Sequence, residues 1–448
     1  MTKATPRLLI LLLAFGLLAP GLAQTVQKPI SQMPASARQL IAIKATGSKR
    51  YPEAAIVATT GLQLNTAVTD DDFKQAARHL ADTGAFSDIS YSFSYSVAGT
   101  KLELQVTDGE KFVPARFEDF VWFSDTEILR RIKEYVPLYD GFLPLAGKMA
   151  DQVSDVLQAM LVESGVAGHV NYFRTGKPDG PVESIQYNVS DVIIRVRNIE
   201  FTGVAAAELP ALEEAAKAFS GREYSRTKID AFVQRQLLPV YHARGYLKVV
   251  CSEPQPKVVK EPEADMPEGP RNQTIVDVAF ALTPGLQYTL KSLEWSGNKE
   301  FPTETLEKMI SVKLGQPADT VKLNDELRGV QTLYGSRGFI TATISAEANY
   351  DDAASAVALH MTVKEGPVFH MGDLEFRGLD NSLTAKLRDV WKLRPGDVYD
   401  ATYLESYLPE AHKLLPSRLD WEVSPHVTAN LRDKSVDVDI IYSVKAPN

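Results

Sequence analysis

A period of about 80 residues, carried by three separate markers, constrains this chain more than any other feature. The first marker is an alternating apolar run closed by glycine: Ile199 and Phe201 before Gly203, Leu290, Leu293 and Trp295 before Gly297, and Leu374 and Phe376 before Gly378, with a fainter copy in Ile43 and Ala45 before Gly47. These glycines lie 156, 94 and 81 residues apart, and the first interval is twice 78. Phe117, Phe120 and Trp122 fill the missing place without the glycine. The second marker is a glycine before an apolar residue, at Gly84, Gly165, Gly245 and Gly338, with separations of 81, 80 and 93. The third is a closing strand of strict alternation, as in Leu102, Leu104 and Val106, Val276, Val278, Phe280 and Leu282, Val357, Leu359, Met361 and Val363, and Val436, Val438 and Ile440. Three markers in one phase give five repeats.

The repeat is most complete over residues 288–367. Apolar residues near period two, then the turn residues Gly297 and Asn298, describe a strand and its end. A helix is expected over 302–312, opened by Pro302 and Thr303 and broken by Gly315 and Pro317. Leu323, Leu327, Val330 and Tyr334, spaced 4, 3 and 4, share one face of a second helix. Strands are expected over 339–344 and 357–363, with a hairpin at Asp351 and Asp352. The order β-α-α-β-β builds one thin sheet with two helices on a face, an α+β domain. The expected organisation is a signal peptide (1–23), a linker (24–38) and five domains at 39–110, 111–192, 193–285, 286–366 and 367–448, in an extended and monomeric row whose neighbours stabilise one another. Residues 252–274 of the third, with prolines at 254, 256, 262, 267 and 270 among charges, read as a mobile hairpin loop.

Lys3 and Arg7, then eleven apolar residues from Leu8 to Leu18, then Gly21 and Ala23, form an export signal cleaved between Ala23 and Gln24. The apolar run is too short to span a bilayer, and no later run approaches the roughly 20 residues needed. A net charge of −9 without a basic tract argues against nucleic acid as partner. The single cysteine, Cys251, excludes an intrachain disulfide framework and a cysteine-rich metal site.

No residue pattern supports catalysis. Ser225 and Lys228 match a Ser-x-x-Lys spacing, but the partner motifs are absent and Ser225 stands where a helix N-cap belongs. The seven histidines, His79, His169, His242, His360, His370, His412 and His426, show no metal-ligand spacing. Asp70, Asp71 and Asp72 begin a helix carrying Phe73, Ala76, Ala77 and Leu80, where carboxylates complement the dipole. Cys251, beside Val249 and Val250, reads as a buried or edge strand thiol, and Trp391, Tyr403, Tyr407 and Trp421 read as core, with a surface patch for docking a folded partner as the alternative. The chain is expected to be no enzyme, with no cofactor or metal.

With this length, element order and glycine–aromatic step, and with Glu365, Gly366 and Pro367 leading into Leu374, Phe376 and Gly378, the repeats resemble POTRA (polypeptide-transport-associated) domains. Five in tandem resemble the periplasmic region of BamA-type outer-membrane-protein assembly factors, over about residues 39–444. In that family a membrane β-barrel follows the last such domain. This sequence ends at Asn448, directly after the last expected strand, so it reads either as a soluble array or as a barrel protein cut short; no transmembrane barrel is expected in it and insertase activity is not carried over. The resemblance implies a periplasmic protein associated with the outer membrane, with unfolded outer-membrane proteins, an outer-membrane barrel or its assembly complex as partners.

In the β-α-α-β-β order the second strand is expected at a sheet edge, where unpaired N–H and C=O groups accept an extended chain. The expected edges are residues 87–94, then Tyr246, Leu247, Lys248, Val249 and Val250 with Cys251, and Phe339, Ile340, Thr341, Ala342, Thr343 and Ile344. Four or five backbone hydrogen bonds at a net ~1 kcal/mol each barely offset an association cost of roughly 4–15 kcal/mol. One edge therefore binds feebly and tolerantly, and several tethered edges gain from effective concentration. The expected function is the binding of unfolded outer-membrane proteins by strand addition; the competing reading is a scaffold that docks folded partners of an outer-membrane assembly or secretion complex.

Overall fold

The computed structural model describes residues 34–259 and 272–444. Within them, 34–117 and 123–190 form one compact unit, and 118–122, 191–259 and 272–444 form the other. The expected cleavage site at Ala23 and Gln24 lies outside the described residues.

The first unit holds two sheets. Strand β1 (Leu40–Thr46) leads to helices α1 (Glu53–Thr60) and α2 (Asp70–Asp82), then to the hairpin of β2 (Phe86–Ser96) and β3 (Gly99–Asp108). The sheet order is β1-β3-β2, with β1 parallel and β2 antiparallel to β3. Thr69 and Asp72 cap α2 reciprocally, so the acidic run works as a helix start. The second sheet runs β5-β4-β7-β6, from β4 (Phe112–Phe117), β5 (Phe142–Pro144), β6 (His169–Gly176) and β7 (Val182–Ser190), with helices α3 (Asp125–Tyr135) and α4 (Met149–Glu163). Here the first strand ends at Phe117, so Phe120 and Trp122 are not the strand end expected from the sequence.

The second unit holds three sheets. The third is built from β8 (Ile193–Thr202), β9 (Val250–Cys251), β10 (Gln255–Val258) and β11 (Gln273–Thr283). Its helices are α5 (Leu209–Lys217) and a run from α6 (Arg226–Phe232) to α7 (Leu238–His242), joined by a π-helical turn at Val233–Leu237. Pro239 lacks an N–H to close an α-helical turn, which explains the looser step before it. Ser225 Oγ accepts the Lys228 N–H at 3.2 Å as the N-cap of α6. The fourth sheet is β12-β14-β13, from β12 (Thr289–Ser296), β13 (Thr343–Asp351) and β14 (Ala356–Lys364), with α8 (Thr303–Glu307) and α9 (Thr320–Gly335). The fifth repeats it as β15-β17-β16, from β15 (His370–Arg377), β16 (Trp421–Asn430) and β17 (Ser435–Val444), with α10 (Asn381–Val390) and α11 (Tyr403–His412). Each core lies between the closing strand and the helices: Val357, Leu359 and Met361 meet Leu323 and Leu327 in the fourth.

Two devices recur. Four of the five parallel pairs slip by one residue, at Ile41, Arg197, Lys291 and the Gly372–Asp373 step, while β4 and β7 pair in register. This β-bulge makes the inward-facing residues of the first strand spaced three, then two: 40, 43, 45; 196, 199, 201; 290, 293, 295; 371, 374, 376. Arg197 is fixed by a two-point ion pair with Asp277 (2.6 and 3.0 Å). In the fifth sheet Asp437 instead accepts the Asp373 N–H at 2.8 Å. Second, a left-handed residue before the second helix donates its N–H to the first strand: Asn65 to Leu40, Gly221 to Val196, Gly315 to Leu290 and Gly396 to Met371, at 2.7–2.8 Å. The loop so formed covers the beginning of the first strand's outer edge.

Candidate functional site: the open sheet edges

The described first, second, fourth and fifth sheets each have as outermost member the first strand of the closing hairpin, namely β2, β6, β13 and β16. The edges differ in what they offer. β2 is eleven residues long, without proline and with one charge, Asp88. Tyr91 and Phe93 turn inward onto Phe73, at centroid distances of 6.4 and 5.3 Å, while Ser90, Ser92 and Ser94 lie exposed on the other face. An added strand would continue both faces, apolar on one and uncharged polar on the other. β13 is also free of proline, and all but Ile344 and Asp351 are exposed. β16 carries Pro425 in its middle, which removes one N–H from its open edge.

The candidate edge residues divide between strand and turn. All of 87–94 lie in β2. Thr343 and Ile344 begin β13, but Phe339, Ile340, Thr341 and Ala342 precede it in a turn closed by the Ala342 N–H donating to Phe339 O at 3.0 Å. Ala342 is buried and Phe339 packs beside it against Tyr334, which is why their apolar pattern imitates a strand. The continuation of this edge is residues 345–351, beyond the strand expected over 339–344. In the third sheet Tyr246, Leu247, Lys248 and Val249 likewise form a turn, and only Val250 and Cys251 enter β9.

The expected loop 252–274 is strand at both ends: residues 255–258 pair with β11 as β10, and Gln273 and Thr274 belong to β11 itself. Residues 260–271 lie outside the described set. Between β9 and β10, residues 252–254 face only Phe280 and Ala281, an extra residue that breaks the edge.

Lys248 has a different place from the edge position expected for it. Its ammonium meets Asp352 at 2.7 Å and lies 4.6 Å from the Tyr350 ring centroid, and Tyr288 Oη donates to the same carboxylate at 2.7 Å. The hydrogen bond from Lys248 holds the Asp352 carboxyl below its ordinary range, aided by that from Tyr288. This cluster ties the turn after α7 to the hairpin of the fourth sheet. Trp391 is 9% exposed and stacks edge-on against Tyr403 and Tyr407 at 4.9 and 4.8 Å, so it is core and not a surface patch. His79 and His360 are engaged locally, with Thr60 O (3.2 Å) and Ser296 Oγ (2.9 Å). Among the described residues no three His, Cys, Asp or Glu side chains are grouped to hold a metal ion, and no helix is long and apolar enough to cross a membrane.

Residues 288–366 match the POTRA family, described as a surface antigen variable number repeat. A putative outer membrane protein assembly factor of Treponema pallidum (strain Nichols) is 23% identical over 159 residues, which is 36% of this chain. The match spans 18% of that relative's length. Among solved structures, POTRA3-5 of Haemophilus influenzae BamA is similar at 19% identity, over 57% of this chain and 97% of that one, with a TM-score of 0.43. POTRA1-3 of the periplasmic domain of Omp85 from Anabaena is similar at 14% identity, over 57% and 96%, with a TM-score of 0.24. The fourth sheet and its two helices are thus the part of the chain that matches the POTRA family.

Proposed function

We propose that this chain is a non-enzymatic, exported protein of outer-membrane biogenesis, built of five POTRA-like domains in the periplasm, that binds unfolded outer-membrane proteins by β-strand addition. The observation that carries this reading is the recurrent exposed edge strand, long and free of proline in β2 and β13. A chain destined for a membrane barrel alternates apolar and polar side chains, and the two faces beside β2 alternate in the same way. The POTRA match and the likeness to an assembly factor support the setting. Each edge alone gives modest affinity, and tethering several on one chain supplies avidity without demanding a fixed client sequence.

The test places a photocrosslinking residue at Ser92 in β2 and at Ala346 in β13, both exposed, with Val162 on the outer face of α4 as control. Addition of a urea-unfolded outer-membrane barrel protein should give adducts from the two edge sites and none from the control. Equal adducts from all three, or none, would overturn the reading. Capture of folded envelope proteins with no unfolded client bound would favour a scaffold.

A further inference from the structure

The third sheet departs from the others at both margins. Its hairpin-side edge is broken where residues 252–254 face two residues of β11, and Pro254 and Pro256 remove two N–H groups from it. Bulges and prolines are how sheet edges are closed to other chains.

The opposite margin, β8, is covered only over its first half. Val196 exchanges hydrogen bonds with Arg222 O (2.9 Å) and the Gly221 N–H (2.8 Å), and Ser220 Oγ donates to Arg197 O at 2.8 Å. Beyond Ser220 a groove of about 630 Å³ runs between residues 198–202 of β8 and helix α5, where Leu209 and Ala216 form the far wall. The matching place in the first sheet is filled: the Ala45 N–H points outward and donates to the Glu53 carboxylate at 3.0 Å. Counted from Gly47 and Gly203, Ala45 corresponds to Phe201 and Glu53 to Leu209. Leucine offers that amide no acceptor. Two carboxylates, Glu200 and Glu213, line the groove and have no ion-pair partner among the described residues, whereas Lys217 is held by Glu214 at 2.9 Å.

We propose that the groove between β8 and α5 is a separate strand-addition site, which takes an extended segment of β-branched or aromatic residues carrying a lysine or arginine. The segment pairs with the outward backbone groups of Ile199 and Phe201, sets alternate side chains against Leu209 and Ala216, and places its cation between Glu200 and Glu213. Strand addition in the third sheet thus moves from the second strand's margin to the first. The inference rests on strand addition as the mode of binding, but not on which of the other edges is used.

The probe is a twelve-residue peptide alternating valine and threonine with one central lysine, added to the full mature chain and followed by amide hydrogen exchange. Protection should appear over residues 198–202, and Leu209→Glu, which installs the carboxylate found in the first sheet, should weaken binding about tenfold, the loss of one or two backbone hydrogen bonds. Leu209→Met should bind as the parent does. Protection confined to residues 250–258, or to β2 and β13, overturns this site and leaves strand addition standing; protection at no edge overturns both. Unchanged affinity of a folded Leu209→Glu chain also overturns it.

Discussion

The carbonyl of Gly245 accepts the Tyr288 N–H at 2.8 Å, joining the end of α7 to the residue that precedes β12. Gly338 and Phe369 repeat the bond at 2.8 Å between the fourth and fifth sheets. Gly245 has φ +83°, and a Cβ there would stand 2.6 Å from Tyr288 O and 3.0 Å from Ala318 N. Gly245→Ala should therefore destabilise the second unit by about 1–3 kcal/mol, from the left-handed backbone and the forced retreat of β12. Urea unfolding followed by Trp295 and Trp391 fluorescence measures it; a midpoint equal to the parent's would show that the junction yields without cost.

Glu118 is 3% exposed, and its carboxylate accepts both the Thr227 N–H (2.8 Å) and Thr227 Oγ1–H (3.0 Å) in the first turn of α6. Glu118→Ala leaves that amide and hydroxyl without partners and should cost about 1–3 kcal/mol. Glu118→Gln retains one acceptor oxygen and should recover part of the loss. Thermal unfolding of the three chains decides; equal losses for both substitutions would point to packing and not to hydrogen bonding.

Burial pushes the Cys251 thiol up to about 11, with a smaller contribution from Asp230. The thiolate is the reactive form, so alkylation by iodoacetamide near pH 8 should be far slower than for a free cysteine peptide, and should rise through pH 10–11. A rate at pH 8 matching the peptide would contradict this.

His242 is half-buried at the end of α7, and desolvation lowers its proton affinity below the ordinary value of 6.5. The unfolded chain then binds the proton more tightly than the folded one. The sign follows: stability from keeping this ring neutral is present above pH 6.5 and is lost as pH falls through the lower, folded value. Unfolding midpoints between pH 7.5 and 5 should decline in the parent and less steeply in His242→Gln. Parallel curves would remove His242 as the cause.

The repeat was legible because backbone geometry demands glycine at fixed places. Gly203, Gly297 and Gly378 all have φ between +75° and +81°, which other residues rarely adopt, so their spacing survives divergence of the side chains around them. A further marker was equally available: Gly221, Gly315 and Gly396 lie 94 and 81 residues apart, the same intervals, and each donates to the first strand. It fades in the first sheet because Asn65, at φ +63°, takes the position. What alternation could not reveal was where strands begin. Phe339 and Ala342 are buried in a turn and look like strand, and residues 255–258 pair as strand despite Pro256 because an edge needs hydrogen bonds on one side only. Nor does composition announce the groove beside β8, where Leu209 stands at the position that Glu53 holds in the first repeat.

The one-residue slip in four of the five opening strands has a further meaning for how these repeats tolerate change. Side chains on a strand alternate by parity, and the extra residue shifts that parity once, midway. Leu290 and Trp295 are five positions apart, an odd number, yet both pack inward because Lys291 is inserted between them. Deleting Lys291 would put Leu290 and Leu293 two positions apart and keep both facing inward on a regular strand, whereas replacing it by another side chain would keep the bulge. What the insertion sets is therefore not which side chains reach the core but the local bend and twist of the opening strand, which a bulge increases.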